Sequence, residues 1–270
     1  MSTDVVAPAA VDDLLPEEGG AAVRVDGPAD LRAVARERGA VAALTALGDL
    51  LPVAALPGEC VLLPGDVPPP GGWARVGEVA SDVGTLLVWR APRAAAAPAA
   101  PADEAPGPAA PAADEGVAAR TADTVWRVGV AWVRTGLCER LTDRAVERLR
   151  GRTVGGTATV NLPPVRLVLA DAALAHLEAQ AFLGGAASRD EDPAAGSPDR
   201  RPVVSGSSLA RVTAVLDRSS RAVHNLFGAS GYVDGDAARL ARTIDLLGHA
   251  SGTLPGRDTE TPHGREGRDA

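Results

Sequence analysis

The clearest regularity in this chain is a helical period that begins in its middle. From Asp123 to Arg150, the residues Val125, Val128, Trp132, Cys138, Leu141, Ala145 and Leu149 recur mostly at three- and four-residue steps with no proline. That spacing predicts one long helix of roughly 40 Å, closed by Gly151, Gly155 and Gly156. A second helix opens at Pro163–Pro164, where proline suits the first turn. It sets Leu167, Ala170, Leu174, Leu177 and Ala181 on one face and Val165, Leu169 and Ala172 on another, so burial on both sides is expected. A polar loop over 184–202 leads to the serines Ser205, Ser207 and Ser208, any of which can cap a third helix. The apolar positions there are Leu209, Val212, Leu216, Val223 and Phe227, and Gly228-Ala-Ser-Gly231 stops the run. Asp234 or Asp236 can cap a fourth helix bearing Leu240, Ile244 and Leu247. Four amphipathic helices with two short connections and one longer one predict a four-helix bundle over residues 119–254.

Upstream the pattern is different. Residues 1–20 form a polar leader, and Pro28 to Leu51 reads as one helix with Leu31, Val34, Val41 and Leu44 among its apolar positions. Short strands are expected at Cys60–Leu63, Arg75–Val79 and Thr85–Trp89, each bounded by Gly or Pro. Residues 21–91 thus read as a small α/β segment. Residues 92–118 are Ala, Pro, Asp and Glu with almost nothing to bury, which predicts a disordered linker. The polar residues 255–270 are expected to fray as a tail. The fold class is therefore mainly α.

Composition narrows the function classes. Only 3% of residues are aromatic, so Ala, Val and Leu must supply the core. The net charge of −8 leaves no electrostatic footprint for nucleic acid. Arg148, Arg150 and Arg152 alternate with acids and read as a solvated helix face. Cys60 and Cys138 lie far apart and outside any CxxC pair, which gives neither a disulfide framework nor a zinc spacing. With no signal sequence and no apolar stretch expected to span a bilayer, a cytoplasmic location is expected.

The residues at the helix ends are more specific. Arg152-Thr-Val-Gly-Gly156 closes the long helix, and Leu169-Ala170-Asp171 lies on the second. Asn225-Leu-Phe-Gly-Ala-Ser-Gly231-Tyr232 ends the third, and Arg242-Thr243 precedes Ser251-Gly252-Thr253 by about a helix length. In that order, these segments resemble the motifs of the C-terminal helical domain of the acyl-CoA dehydrogenases. There an Arg-x-x-Phe-Gly turn, a Leu-Ala-Asp/Glu step, a Gln-x-x-Gly-Gly-x-Gly-Tyr/Phe turn and an Arg-Asp…Glu-Gly-Thr pair follow one another. The resemblance covers about half of the chain. Residues 21–91 are too few to hold the family's N-terminal helical domain together with its β-rich middle domain.

The family oxidises acyl-CoA thioesters across Cα–Cβ: a carboxylate removes the α-proton while hydride passes to FAD. The resemblance implies FAD and an acyl thioester as ligands, and Arg152, Asn225, Gly228, Gly231 and Thr253 as cofactor-binding residues. Ser251 stands where many members carry the catalytic glutamate, and a serine hydroxyl without a base of its own cannot replace a carboxylate. Members that place the glutamate on the first bundle helix match here the stretch Val125 to Val130, which holds no acid. Asp123 reads as a helix-start residue. Gly155 replaces the turn's aromatic, Pro163 a later glutamine, and Asn225 the glutamine of the glycine turn. The resemblance therefore implies a degenerate flavoprotein subunit in a homo- or hetero-oligomer, with a fuller acyl-CoA dehydrogenase supplying the base. A non-catalytic helical interaction protein of the same descent is the other reading.

Other chemistries fit less well. Asp245, His249 and Ser251 contain the residue types of a triad, without a GxSxG elbow. No Glu-x-x-His pair supports a di-iron site. His176-Ala-Glu178 lacks the Pro-Cys-x-x-Cys half of a zinc deaminase. His224 is expected on a helix near the glycine turn. The tryptophans Trp73, Trp89, Trp126 and Trp132 read as core or interface anchors.

Overall fold

A computed structural model describes residues 27–51, 60–69, 71–92, 113–185, 204–233 and 235–250. These form α1 (Asp30–Arg38), α2 (Ala40–Leu50), β1 (Cys60–Pro64), β2 (Ala74–Ala80), β3 (Thr85–Arg90) and α3 (Ala113–Arg150). They continue through β4 (Thr153–Val154), β5 (Thr157–Ala158), α4 (Pro163–Gly184), α5 (Gly206–Asn225) and α6 (Asp236–Ala250). The described chain is mainly helical.

The helix expected over 28–51 is two helices. Gly39 adopts φ +86°, outside the range of an α-helix and unfavourable for any residue with a side chain. Its N–H still caps α1 through the Ala35 carbonyl at 3.0 Å, while its own carbonyl accepts from Ala43 to start α2. The helical period survives the break, so the sequence pattern conceals it. The three expected strands are present as one antiparallel sheet of order β1-β3-β2, with Leu62 opposite Val88 and Glu78 opposite Leu87. A register shift between Arg75 and Gly77 lets β2 bend.

The long helix starts at Ala113, inside the expected linker and well before Asp123. Asp123 is therefore an interior helix position, which removes its helix-start role. Once a helix is nucleated, adding an Ala- or Glu-containing turn costs little, and apolar periodicity is not needed for it. α3 is the axis of the molecule: α1, α2, α4, α5 and α6 all pack against it. Leu31, Leu47, Leu63 and Leu86 from the N-terminal elements share one core cluster with Leu137, Leu141, Leu216, Leu240 and Ile244. Trp126 and Trp132 are buried in it, and Trp73 and Trp89 pack on its edge. Cys60 and Cys138 are free thiols, the latter buried.

A row of ion pairs along α3 reinforces the apolar contact. Arg32 donates to Glu139 at 2.9 Å and Arg36 to Asp143 at 2.8 Å, joining α1 to α3. Gln180 of α4 donates to the same Glu139 at 2.9 Å. Arg140 donates to Asp82 at 2.7 Å and to the last carbonyls of α1, while Arg144 also reaches Asp82. Deeper in, Arg134 is only 2% exposed and meets Asp217 of α5 at 2.5 Å and the Ile244 carbonyl of α6 at 3.1 Å.

α4 starts at Pro163 as expected, but it buries a different face. Its buried positions are Ala172, His176, Ala179 and Leu183, whereas Leu167, Leu174 and Leu177 stay 61–64% exposed. With Ala and Leu all around the helix, the pattern does not say which side meets the body. By length and composition α4 could also cross a membrane, contrary to the sequence expectation, with a mean hydropathy of 1.3 over its best window. Its inner face is packed on α3 and α5.

Of the three candidate serines, Ser205 caps α5, its Oγ accepting from the Ser208 N–H at 3.1 Å. Phe227 lies just past the helix end and is still buried. Asp236 opens α6, and Asp234 lies outside the described residues.

Candidate functional site

Of the candidate cofactor residues, Arg152, Asn225, Gly228 and Gly231 lie at two glycine turns. At the end of α3, the chain reverses through Gly155-Gly156 between β4 and β5, and the Arg152 carbonyl accepts from both the N–H and the hydroxyl of Thr159. Arg152 itself points into solvent. At the end of α5, Leu226 and Phe227 lead into a 3-10 turn, Gly228–Gly231.

This second turn is fixed by its own side chains. Gly228 takes φ +59°, which a side chain would strain. A Cβ on Gly231 would come within 2.9 Å of the Phe227 Cβ and 3.2 Å of the His224 Nε2. His224 Nε2 lies 2.7 Å from the Gly231 carbonyl, so that nitrogen carries the proton and donates. Tyr232 OH donates to Asn225 Oδ1 at 2.8 Å, Ser230 Oγ donates to the Phe227 carbonyl at 2.7 Å, and the His224 and Tyr232 rings sit 5.0 Å apart. Asn225 thus braces the turn through Tyr232.

A cleft of about 330 Å³ opens between this turn and α6, lined by Ser220, Arg221, His224, Tyr232, Arg242 and Asp245 among others. Arg221 and Arg242 have no ion-pair partner among the described residues. Two uncompensated guanidiniums beside one carboxylate make a cleft that favours an anionic ligand, and Tyr232, 69% exposed, offers an aromatic face at its mouth. On the other side of the turn, a shallow depression is lined by Arg144, Arg148, Phe227, Ser230 and Asp236. It adjoins a second one reaching Gly151 and Arg152 past the same Arg144 and Arg148. The turn therefore stands between a cleft and a shelf of mixed charge, where Glu147 and Asp236 accompany the arginines. Arg152 lies on the shelf and Gly231 at the cleft, and no hydrogen bond joins Arg152 to Asn225.

Several expected features fall elsewhere. Ser251 and Thr253 lie outside the described residues. The stretch Thr124 to Val130 carries no carboxylate, and Trp126 and Val130 there are buried. Asp245 lines the cleft, whereas His249 is exposed in the last turn of α6. His176 is buried beside Ser219 Oγ at 3.3 Å, and burial, with the nearby positive charge of Arg36, lowers its pKa to about 4. It is a neutral core residue at ordinary pH. Arg221 lies in none of the sequence motifs. It belongs to the polar side of α5, and only the register of α5 against α6 brings it to the same cleft as Arg242.

No family model matches the chain, and no curated protein does. Among solved structures it is similar to butyryl-CoA dehydrogenase from Megasphaera elsdenii, at 18% identity over 67% of this chain and 45% of that one, with a TM-score of 0.47. The electron transferring flavoprotein of Acidaminococcus fermentans gives 18% identity, 67% and 46% coverage and a TM-score of 0.47. A glutaryl-CoA dehydrogenase from Mycobacterium smegmatis, in complex with FADH2, gives 15%, 70%, 47% and 0.44. The chain spans less than half the length of each of these proteins.

Proposed function

We propose that this chain is an acyl-CoA dehydrogenase-like flavoprotein subunit that takes part in oxidising an acyl thioester and relies on a partner subunit for the catalytic base. The observation that carries the reading is the α5–α6 turn. The segment Asn225 to Tyr232, which carries the glycine motif, forms a hydrogen-bonded turn whose cleft presents Arg221 and Arg242 to a ligand. The four motif segments follow one another in the family's order, which supports the same reading.

The residues present fit part of FAD. A cleft of about 330 Å³ is at the small end of ligand pockets, so it suits a diphosphate and its neighbouring sugar rather than a whole dinucleotide. Arg221 and Arg242 would hold the diphosphate oxygens, and Gly231 lets the backbone lie close to them. Tyr232 would cover an adjoining ring. The rest of the cofactor would lie against a second subunit. When bound, FAD supplies the hydride acceptor. The described residues place no carboxylate at the first-helix position, and Ser251 cannot remove an α-proton unaided, so the base comes from the partner. The four-helix bundle over residues 119–254 is the frame of this proposal.

The test is co-purification. Protein expressed alone and with candidate partner dehydrogenases should carry flavin absorbance, and Arg221→Ala with Arg242→Ala should release it while leaving far-UV circular dichroism unchanged. Colourless protein under both conditions, with no uptake of added FAD, refutes the proposal and favours the non-catalytic interaction protein.

A further inference from the structure

Three charged groups line the cleft beside the α5–α6 turn, and none neutralises another. Arg242 and Asp245 stand three positions apart on α6, a spacing at which opposite charges meet on a helix surface. They form no ion pair, and neither they nor Arg221 on α5 has an ion-pair partner among the described residues. Ala238 and Ala241 complete the α6 side of the cleft and fill little of it. Two guanidiniums explain why an anion enters. They do not explain the carboxylate, which an anion should avoid.

We propose that Asp245 is the specificity-determining residue of this cleft. It accepts hydrogen bonds from the free 2′- and 3′-hydroxyls of the ribose in an adenosine diphosphate group, and it turns away nucleotides whose ribose carries a phosphate. The inference rests on the flavin reading of the cleft and adds a selection rule to it. Both ligands of that reading contain adenosine diphosphate. In FAD the ribose is unphosphorylated, whereas in an acyl-CoA its 3′-hydroxyl carries a phosphate. Two arginines alone would hold either diphosphate, so the substrate would compete with the cofactor for the same place.

The position of Asp245 fits this role. It lies about one helical turn beyond Arg242, roughly 5 Å along α6, as a ribose lies beyond its own diphosphate. Vicinal hydroxyls offer the carboxylate two donors, the chemistry by which acidic residues hold ribose in dinucleotide sites. The other polar groups of the cleft are committed within the fold. Ser220 Oγ donates to the Asp217 carbonyl at 3.2 Å, and His224 Nε2 donates to the Gly231 carbonyl at 2.7 Å. A ribose phosphate would set about two further negative charges against Asp245. The guanidiniums, already matched by the diphosphate, leave that repulsion in place. Asp245 is only partly exposed, so solvent screens it less than at an open surface.

The test uses two ligands that differ by one phosphate. Calorimetric titration of the full chain should show dephospho-coenzyme A bound about 10–100-fold more tightly than coenzyme A, and ADP should displace it. Asp245→Asn keeps the shape and an acceptor while removing the charge. It should hold dephospho-coenzyme A within about threefold of wild type and bring coenzyme A close to the same affinity. Arg221→Ala with Arg242→Ala should weaken both ligands together. Equal affinities in the wild-type chain overturn the proposal, as does a ratio that Asp245→Asn leaves unchanged, the result expected if Asp245 only supports the fold. Binding indifferent to the arginine pair lies elsewhere and overturns it too. If FAD co-purifies but neither ADP nor dephospho-coenzyme A binds, this inference falls and the flavin reading stands; if none of the three binds, both fall.

Discussion

α1 passes over Gly136 of α3 with no room for a side chain, and replacing that glycine by alanine tests the packing directly. A Cβ at 136 would lie 2.9 Å from the Ala35 Cβ and 2.9 Å from the Arg32 carbonyl carbon, with the Arg32 carbonyl oxygen closer still. Relaxed carbon contacts need about 3.5–4.0 Å, and with the carbonyl oxygen nearest of all α1 must back away by roughly 1 Å or more. The obstacle is backbone and a side chain with no rotamers, so no torsion can swing clear. Overpacking of this kind costs about 1–3 kcal/mol. Retreat of α1 would also lengthen the Arg32–Glu139 and Arg36–Asp143 pairs, now 2.9 and 2.8 Å. Against this, Gly→Ala inside a helix stabilises by about 1 kcal/mol. With the Arg32 carbonyl oxygen so close, the cost sits at the upper end of that range, so the balance is a net loss of roughly 2 kcal/mol, or a Tm lower by about 4–8 °C for a domain of this size. Urea titration followed by circular dichroism, with a thermal melt, measures both. The same change at Gly129 meets the movable end of Leu47 and should cost less. A Gly136→Ala protein as stable as wild type, or more so, would mean that helix propensity outweighs the crossing and that α1 does not seat as described.

Two further outcomes follow from the buried polar groups. His176 has a folded pKa near 4, below its ordinary 6.5, because burial and Arg36 disfavour the cation. The unfolded chain then binds the proton first, so its contribution is complete above about pH 6.5 and is lost as pH falls towards 4. The His176-dependent part of stability should be about 2 kcal/mol smaller at pH 5 than at pH 7, and His176→Gln should flatten that part of the urea-midpoint profile; an unchanged profile would count against it. Asp217→Asn leaves the Arg134 guanidinium, 2% exposed, without its counter-charge and should cost about 2–4 kcal/mol. Adding Arg134→Met should recover most of that loss, and a double variant as weak as the single one would show that the charge is not the cause.

Much of the architecture is legible in the sequence because its punctuation is explicit. The strands at Cys60–Pro64, Ala74–Ala80 and Thr85–Arg90 are flanked by Gly and Pro, and α4 and α5 announce themselves by Pro163–Pro164 and Ser205. The break at Gly39 is not legible, since a single glycine within a sustained apolar period can be an ordinary helix residue. Nor is the buried face of α4, where Ala and Leu occur on every side and the choice is made by the packing of α3 and α5 against it. At the candidate site, the turn was legible from Gly228, Gly231 and Tyr232. The cleft was not, because Arg221 and Arg242 sit on separate helices and meet only through tertiary register.

The burial of Asp82 has a consequence for how the chain could be cut. This carboxylate from the β2–β3 turn is fully enclosed and held by Arg140 and Arg144 of α3, beside the α1 contacts of the same helix. Its cations come from α3, which follows the sheet by more than twenty positions in the sequence. A chain divided between the two should behave as two complementary fragments: one ending after β3 and one beginning at α3. Neither is self-sufficient at that wall, and each carries the other's missing half of an enclosed ion pair.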